Sequence, residues 1–202
     1  IRTGTRVAEA RRLCPSLQCV VAAHERYVTF HHRIIAVIEQ YIPISEVASI
    51  DEVACALDSS ERTPEAATAL ARRIKAGLAR EVGAFIRCSI GIAPNAFLAK
   101  VATELQKPDG LVVLRPADIP QRLLCLSFDD IPGLGPAMQR RLAQAGVTTM
   151  AELYALAPKQ MRVLWHSVEG ERLWYKLRGV TLPREPSRRR SVSHSHVLAP
   201  EN

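Results

Sequence analysis

The sequence predicts an α+β fold, what remains of a ferredoxin-like split βαβ arrangement followed by a small all-helical domain. Two observations predict it. Up to Leu114 the apolar pattern runs helix, strand, strand, helix, strand, which is a split βαβ unit if its first strand lies upstream of Ile1. After Leu114 the strand-like patterning stops. From Ala117 to Gly179 short helical stretches are separated by Pro132, Gly133, Gly135, Gly146, Pro158 and Gly170.

The first helix is read from Tyr27, Phe30, Ile34, Val37, Ile38 and Tyr41 at helical spacing, and Pro43 stops it. Extended stretches over 44–50 and 53–57 flank Asp51-Glu52 and predict two antiparallel strands with the acidic pair near their junction. Thr63-Pro64-Glu65 combines a capping hydroxyl with proline at the first helical position, and Leu70, Ile74 and Leu78 supply a buried face. Ile86, Cys88, Ile90 and Ile92 alternate with Arg87, Ser89 and Gly91 as in a half-buried strand. Asn95 caps a helix through Leu105, and Lys107-Pro108-Asp109-Gly110 turns the chain into a strand over 111–114. The stretch 183–202, with Arg188-Arg189-Arg190, is polar and basic and reads as a linker.

With 48% hydrophobic residues among 202, the chain suits two modest cores, and no apolar run approaches membrane-spanning length. The start at Ile1-Arg2-Thr3 shows neither a signal peptide nor an initiator Met and is expected to be a cut through a longer polypeptide. Five cysteines without a CxxC spacing argue against a disulfide framework and a zinc site, and read as reduced core residues of a cytoplasmic protein. The formal charge is +7: residues 1–114 hold 14 Lys+Arg against 12 Asp+Glu, and residues 115–202 hold 13 against 8. That excess favours a polyanionic partner by phosphate neutralisation.

Asp51 and Glu52 are adjacent, so on a regular strand they would point to opposite faces; they share a metal only where the backbone turns. Hard carboxylate oxygens suit Mg²⁺ that also holds substrate phosphates, while the plain alternative is a solvated acidic turn. Ile131-Pro132-Gly133-Leu134-Gly135 between short helices presents backbone N–H groups at a helix N-terminus, where a phosphate oxygen is favoured; the alternative is a tight turn with glycine for packing. Lys107 reaches a triphosphate or lies on the surface, and Lys100, Arg140 and Arg141 are similar. His31-His32, His194 and His196 lack metal-ligand spacing and read as core or surface residues. No GxxxxGK[ST], GxSxG or HExxH motif is present, which sets those enzyme classes aside.

Taken as an ordered set, Ser49-Ile50-Asp51-Glu52, the run from Cys88 to Asn95 with Phe97-Leu98-Ala99-Lys100, Gln106-Lys107-Pro108-Asp109-Gly110 and the Ile-Pro-Gly-Leu-Gly hairpin resemble the Y-family translesion DNA polymerases. Arg2-Thr3-Gly4 with Ala8-Glu9-Ala10 and Cys14-Pro15 resemble the end of that family's fingers. The resemblance implies the end of the fingers over 1–23, a catalytic palm over 24–114, a helical thumb with a helix-hairpin-helix over 115–182, and a basic linker over 183–202 toward a little-finger domain outside this chain.

The resemblance also implies template-directed nucleotidyl transfer with two Mg²⁺ ions, Mn²⁺ able to substitute. Asp51 would be a metal ligand and Glu52 its acidic neighbour that aligns the primer 3′-hydroxyl. Lys107 would contact the incoming dNTP, and the hairpin of Gly133, Leu134 and Gly135, with Arg140 and Arg141, would grip primer-template DNA. The family's first metal-binding Asp, its steric gate and the fingers' triphosphate-binding Tyr and Arg are expected upstream of Ile1, and a sliding clamp and other lesion-bypass proteins are candidate partners. Two departures mark a divergent branch. Val53-Ala54-Cys55-Ala56-Leu57-Asp58 is two residues longer than the family's usual run after the acidic pair, and Ala96 stands where a basic residue is common. Competing readings are a catalytically inert polymerase-like DNA-binding accessory and a non-polymerase helix-hairpin-helix repair protein.

Overall fold

The computed structural model describes Ile1 and residues 4–183, and the chain divides between Arg87 and Cys88 into two units. Arg2, Thr3 and the basic stretch beyond Pro183, with His194 and His196, lie outside the described residues.

The first unit holds helices α1 (Val7–Leu13) and α2 (His24–Glu39), strands β1 (Ile44–Val47) and β2 (Val53–Cys55), and helix α3 (Pro64–Glu81). Thr63 caps α3 by accepting from the Ala66 amide at 3.2 Å, with Pro64 at the first helical position as its fixed φ favours. The two long helices pack on each other, Val37 and Ile38 of α2 and Ala67, Leu70, Ala71 and Leu78 of α3 being buried. Arg33 of α2 donates to the carbonyls of Glu81 and Val82 at 2.7 and 3.1 Å, satisfying oxygens that the end of α3 leaves without helical partners. Gly77 is there for close approach, since a Cβ would sit 2.6 Å from the Tyr41 hydroxyl.

Strands β1 and β2 pair antiparallel with Ile44 opposite Cys55 and Val47 opposite Val53. The register shifts between Ile44 and Glu46, and Ser45 at the irregularity accepts the Ala56 amide on its hydroxyl at 2.9 Å.

The second unit opens with a parallel βαβ element. Strand β3 (Ile90–Ile92) and strand β4 (Leu111–Val113) pair in register, Ile90 with Leu111 through Ile92 with Val113, and helix α4 (Ala96–Glu104) is the crossover. Only glycine fits at position 91, where a Cβ would meet the Ala99 carbonyl at 1.9 Å. Helices α5 (Gln121–Leu124), α6 (Pro136–Gln144), α7 (Met150–Ala155), α8 (Pro158–Trp165) and α9 (Val168–Leu177) follow, with 3₁₀ turns over Pro116–Asp118 and Phe128–Asp130.

Helix α4 is apolar on two sides, with different partners on each. Leu98 and Val101 join Leu123, Leu134, Leu142, Met150, Leu153, Met161 and Leu177 in one core, while Ala102 packs with Val112 and Leu114 beside the strands. At the head of α4, Asn95 is 8% exposed and uses its whole amide. Its oxygen accepts from Leu98 N at 2.8 Å, and its nitrogen donates to the carbonyls of Lys176 and Val180 at 2.9 and 3.0 Å. Arg178 closes the same end, lying 4.0 Å over the Tyr154 ring and 3.7 Å over Trp174.

The predicted helices stand where the spacing places them, while several expectations need correction. The strands are shorter than 44–50, 53–57 and 86–92, because only three or four residues of each find a partner strand. Tyr27 and Phe30 fall on the exposed side of α2. The cysteines are free, as expected, but they are not core residues: Cys19 and Cys125 are exposed and Cys14, Cys55 and Cys88 half-buried. Among the described residues the β1–β2 and β3–β4 ladders are two separate two-stranded sheets.

Asn95→Ala should lower stability by about 2–3 kcal/mol in denaturant melts, from a lost cap and two carbonyls left without their donor. Asn95→Asp, which keeps the cap oxygen but sets a carboxylate against those carbonyls, should cost more than Ala.

Candidate functional site

Between β1 and β2 the backbone reverses over residues 48–52. The amides of Ala48 and Ser49 both donate to the Glu52 carbonyl, at 2.9 and 3.2 Å, so the adjacent acids Asp51 and Glu52 sit in a turn and not on a regular strand. The alternation that would separate them does not apply there. Ser49 shapes the tip: its hydroxyl donates to Asp51 Oδ1 at 2.6 Å and accepts from the Asp51 amide at 3.3 Å. Asp51 is exposed and Glu52 half-buried. A contact absent from the sequence reading comes from α2, where His31 Nδ1 lies 2.8 Å from the Ile50 carbonyl oxygen. Among the described residues no three His, Cys, Asp or Glu side chains cluster as a metal cage. Mg²⁺ is commonly held by one or two carboxylates together with phosphate and water oxygens, and the two turn acids fit that donor set.

The Gly133 hairpin is built by backbone geometry. Gly133 has φ +89°, in the left-handed region, and the Leu134 amide closes the turn on the Ile131 carbonyl at 3.1 Å. Leu134 is 2% exposed, so its side chain anchors the hairpin in the core. Gln139 of α6 ties the hairpin from behind, donating to the Leu134 carbonyl and to Asp129 Oδ1, both at 2.7 Å. Gly135 takes φ −66° and ψ 171° as the N-cap of α6, a conformation open to any residue. A Cβ at Gly133 or Gly135 would have nothing within 4 Å. Packing inside the protein therefore gives no reason for glycine at 135, and the tight-packing alternative fails there. Arg140 is exposed on α6, whereas Arg141 is tied down by donating to the Leu164 carbonyl at 3.1 Å.

Lys107 follows α4 and shares one carboxylate oxygen with Lys100: their ammonium groups lie 2.8 and 3.0 Å from Glu104 Oε1. Partial burial pushes the Glu104 carboxyl up, but the hydrogen bonds from Lys107 and Lys100 outweigh it and hold the group below its ordinary 4.5. Gly110 closes the turn after Lys107, where a Cβ would strike the Gln106 carbonyl at 1.8 Å. Asp51 and Glu52 belong to the first unit, and Lys107, the hairpin and both arginines to the second.

The model of the impB/mucB/samB family matches residues 1–104. The DNA polymerase IV of Moorella thermoacetica is 36% identical over 180 residues, 89% of this chain and 44% of that protein. That of Pelotomaculum thermopropionicum is 32% identical over 202 residues, 98% of this chain and 50% of its own length. The chain thus spans about half the length of the curated relatives it matches. Among solved structures, the insertion ternary complex of Dbh DNA polymerase superimposes with a TM-score of 0.80 at 28% identity, over 92% of this chain and 54% of that one. DinB from Sulfolobus solfataricus gives 0.74 at 29%, over 88% and 52%. The mixed helix and small-sheet architecture is that of these Y-family structures.

Because the Glu104 carboxyl is held below its ordinary value, its ion pairs stabilise the fold above about pH 4.5 and lose that contribution as the pH falls through the lowered value. Glu104→Gln should therefore lose less stability than the parent on acidification, by about 0.5–1 kcal/mol in paired melts at pH 7 and pH 3.

Proposed function

The chain belongs to the impB/mucB/samB family, and from that premise we propose that it forms part of a Y-family DNA polymerase that copies template DNA across lesions. The reaction is nucleotidyl transfer: the primer 3′-oxygen bonds to the α-phosphorus of a dNTP, the bond to the β-phosphate breaks, and pyrophosphate leaves. The observation that carries the reading is the turn over 48–52, which sets two adjacent carboxylates where the backbone reverses.

In this reading residues 24–114 act as the palm, 115–182 as the thumb and 1–23 as the end of the fingers. Asp51 and Glu52 hold a divalent cation, Mg²⁺ or Mn²⁺, which when bound neutralises phosphate charge and eases ionisation of the primer hydroxyl. Ser49 fixes the Asp51 carboxylate through its short hydrogen bond to Oδ1. Lys107, paired with Glu104, offers its ammonium group to the triphosphate. The similarity to the DNA polymerase IV relatives and to the insertion ternary complex of Dbh DNA polymerase supports DNA and nucleotide as partners.

The hairpin grips the DNA backbone without reading sequence. Among the described residues the amides of Gly133, Gly135 and Ala137 have no acceptor, and the open space over both glycines lets a phosphate oxygen approach them. Arg140 adds positive charge on the same helix.

Primer extension on damaged and undamaged templates tests the reading in the full-length protein. Asp51→Ala and Glu52→Ala should each reduce extension by at least about a hundredfold while primer-template binding is retained. A parent protein that binds primer-template and never extends it under Mg²⁺ or Mn²⁺ would transfer the reading to the inert accessory. A separate experiment isolates the hairpin. Gly135→Ala should leave the melting temperature unchanged, since its backbone is ordinary and its Cβ would face open space, yet weaken duplex binding about fivefold to tenfold regardless of sequence. Unchanged affinity would remove the hairpin from the DNA interface.

A further inference from the structure

The tip of the acidic turn gains little from burial at Ile50. Ile50, directly before Asp51, is 48% exposed, so burial does not fix it, and the Ser49 bonds to Asp51 are internal to the turn. A group outside the turn also helps to set where its backbone lies. The His31 ring does this, from a residue 19 positions earlier on α2, at 2.8 Å from the Ile50 carbonyl oxygen. The helix that carries it is itself held, by the buried Val37 and Ile38 and by the Arg33 bonds to the end of α3.

We propose that His31 is a positioning residue for the acidic turn, its Nδ1–H holding the Ile50 carbonyl so that Asp51 and Glu52 meet the divalent cation together. The inference rests on the reading of those two acids as the cation's ligands. A carbonyl oxygen only accepts, so Nδ1 carries the proton in this bond. A hydrogen bond of this kind shifts an equilibrium about fivefold to tenfold when removed.

Three substitutions separate positioning from simple bulk. In Asn the amide nitrogen is bonded to Cγ, as Nδ1 is in His, so His31→Asn keeps the donor at nearly the same reach. His31→Gln carries its amide one carbon farther out, and His31→Ala has no donor. The readout is Mn²⁺ binding, followed by electron paramagnetic resonance in a complex of the full-length protein with dNTP and a primer lacking its 3′-hydroxyl, so that no turnover occurs. His31→Ala and His31→Gln should weaken Mn²⁺ binding about fivefold to tenfold, His31→Asn should stay within about twofold of the parent, and all should bind primer-template equally. If His31→Ala does not fold, the comparison of Asn with Gln carries the test. Parent-like Mn²⁺ binding in the Ala or Gln variant, or loss in Asn equal to that in Gln, overturns the proposal. Asp51→Ala run beside them tells the two ideas apart. If it abolishes Mn²⁺ binding while the His31 variants bind normally, only the role of His31 falls; if it binds Mn²⁺ like the parent, the metal-ligand reading falls and takes this one with it.

Discussion

The second unit turns on one buried amide. Asn95 caps α4 with its oxygen and, with its nitrogen, holds the carbonyls of Lys176 and Val180 at the far end of the sequence of helices. The apolar packing of Leu98 and Val101 beside Leu173 and Leu177 is tolerant of sliding, because dispersion has no preferred direction. The amide has one. It fixes the rotation and height of α4 against α9, and through α4 it sets the βαβ crossover beside a helical core that closes over Leu98 and Val101. Burying such a group is costly unless all its polar atoms are used, and here they are.

Both candidate functional elements are made by backbone geometry, and side chains do the supporting work. In the acidic turn two amides converge on the Glu52 carbonyl; in the hairpin a left-handed glycine and the Leu134 amide shape the loop. The supporting side chains, Ser49 and His31 at one element and Gln139 at the other, bind carbonyls or carboxylates that would otherwise let the loops shift. This division suits sites that meet phosphates and cations, whose recognition needs oxygen and N–H groups at fixed points more than it needs bulk.

Much of the architecture was legible because its signals are local. Thr63-Pro64 started a helix, Pro43 ended one, and Asn95 capped one, each through a mechanism confined to a single turn. The strands were read too long because apolar alternation continues past the paired residues; Ile86 and Cys88 alternate correctly but precede the ladder, whose register runs from Ile90 to Ile92. The candidate site was legible in its acids and glycines, whose types and order carry the family resemblance. What escaped were contacts over long separations: His31 to Ile50 and Asn95 to Val180. Spacing along a chain does not encode which distant carbonyl a ring or an amide will meet.

The double face of α4 bears on how such a protein can be taken apart. A boundary drawn where the strands end, after Leu114, appears natural on paper, yet it would leave the helical segment without Leu98 and Val101, both wholly buried in its core. The crossover helix is structurally common property, belonging to the parallel ladder on one side and to the helices on the other. Exchange of the helical part between relatives would therefore succeed as a unit only if α4 and its two strands travel with it, and lineages that diverge in this region are constrained to change both faces of that helix in concert.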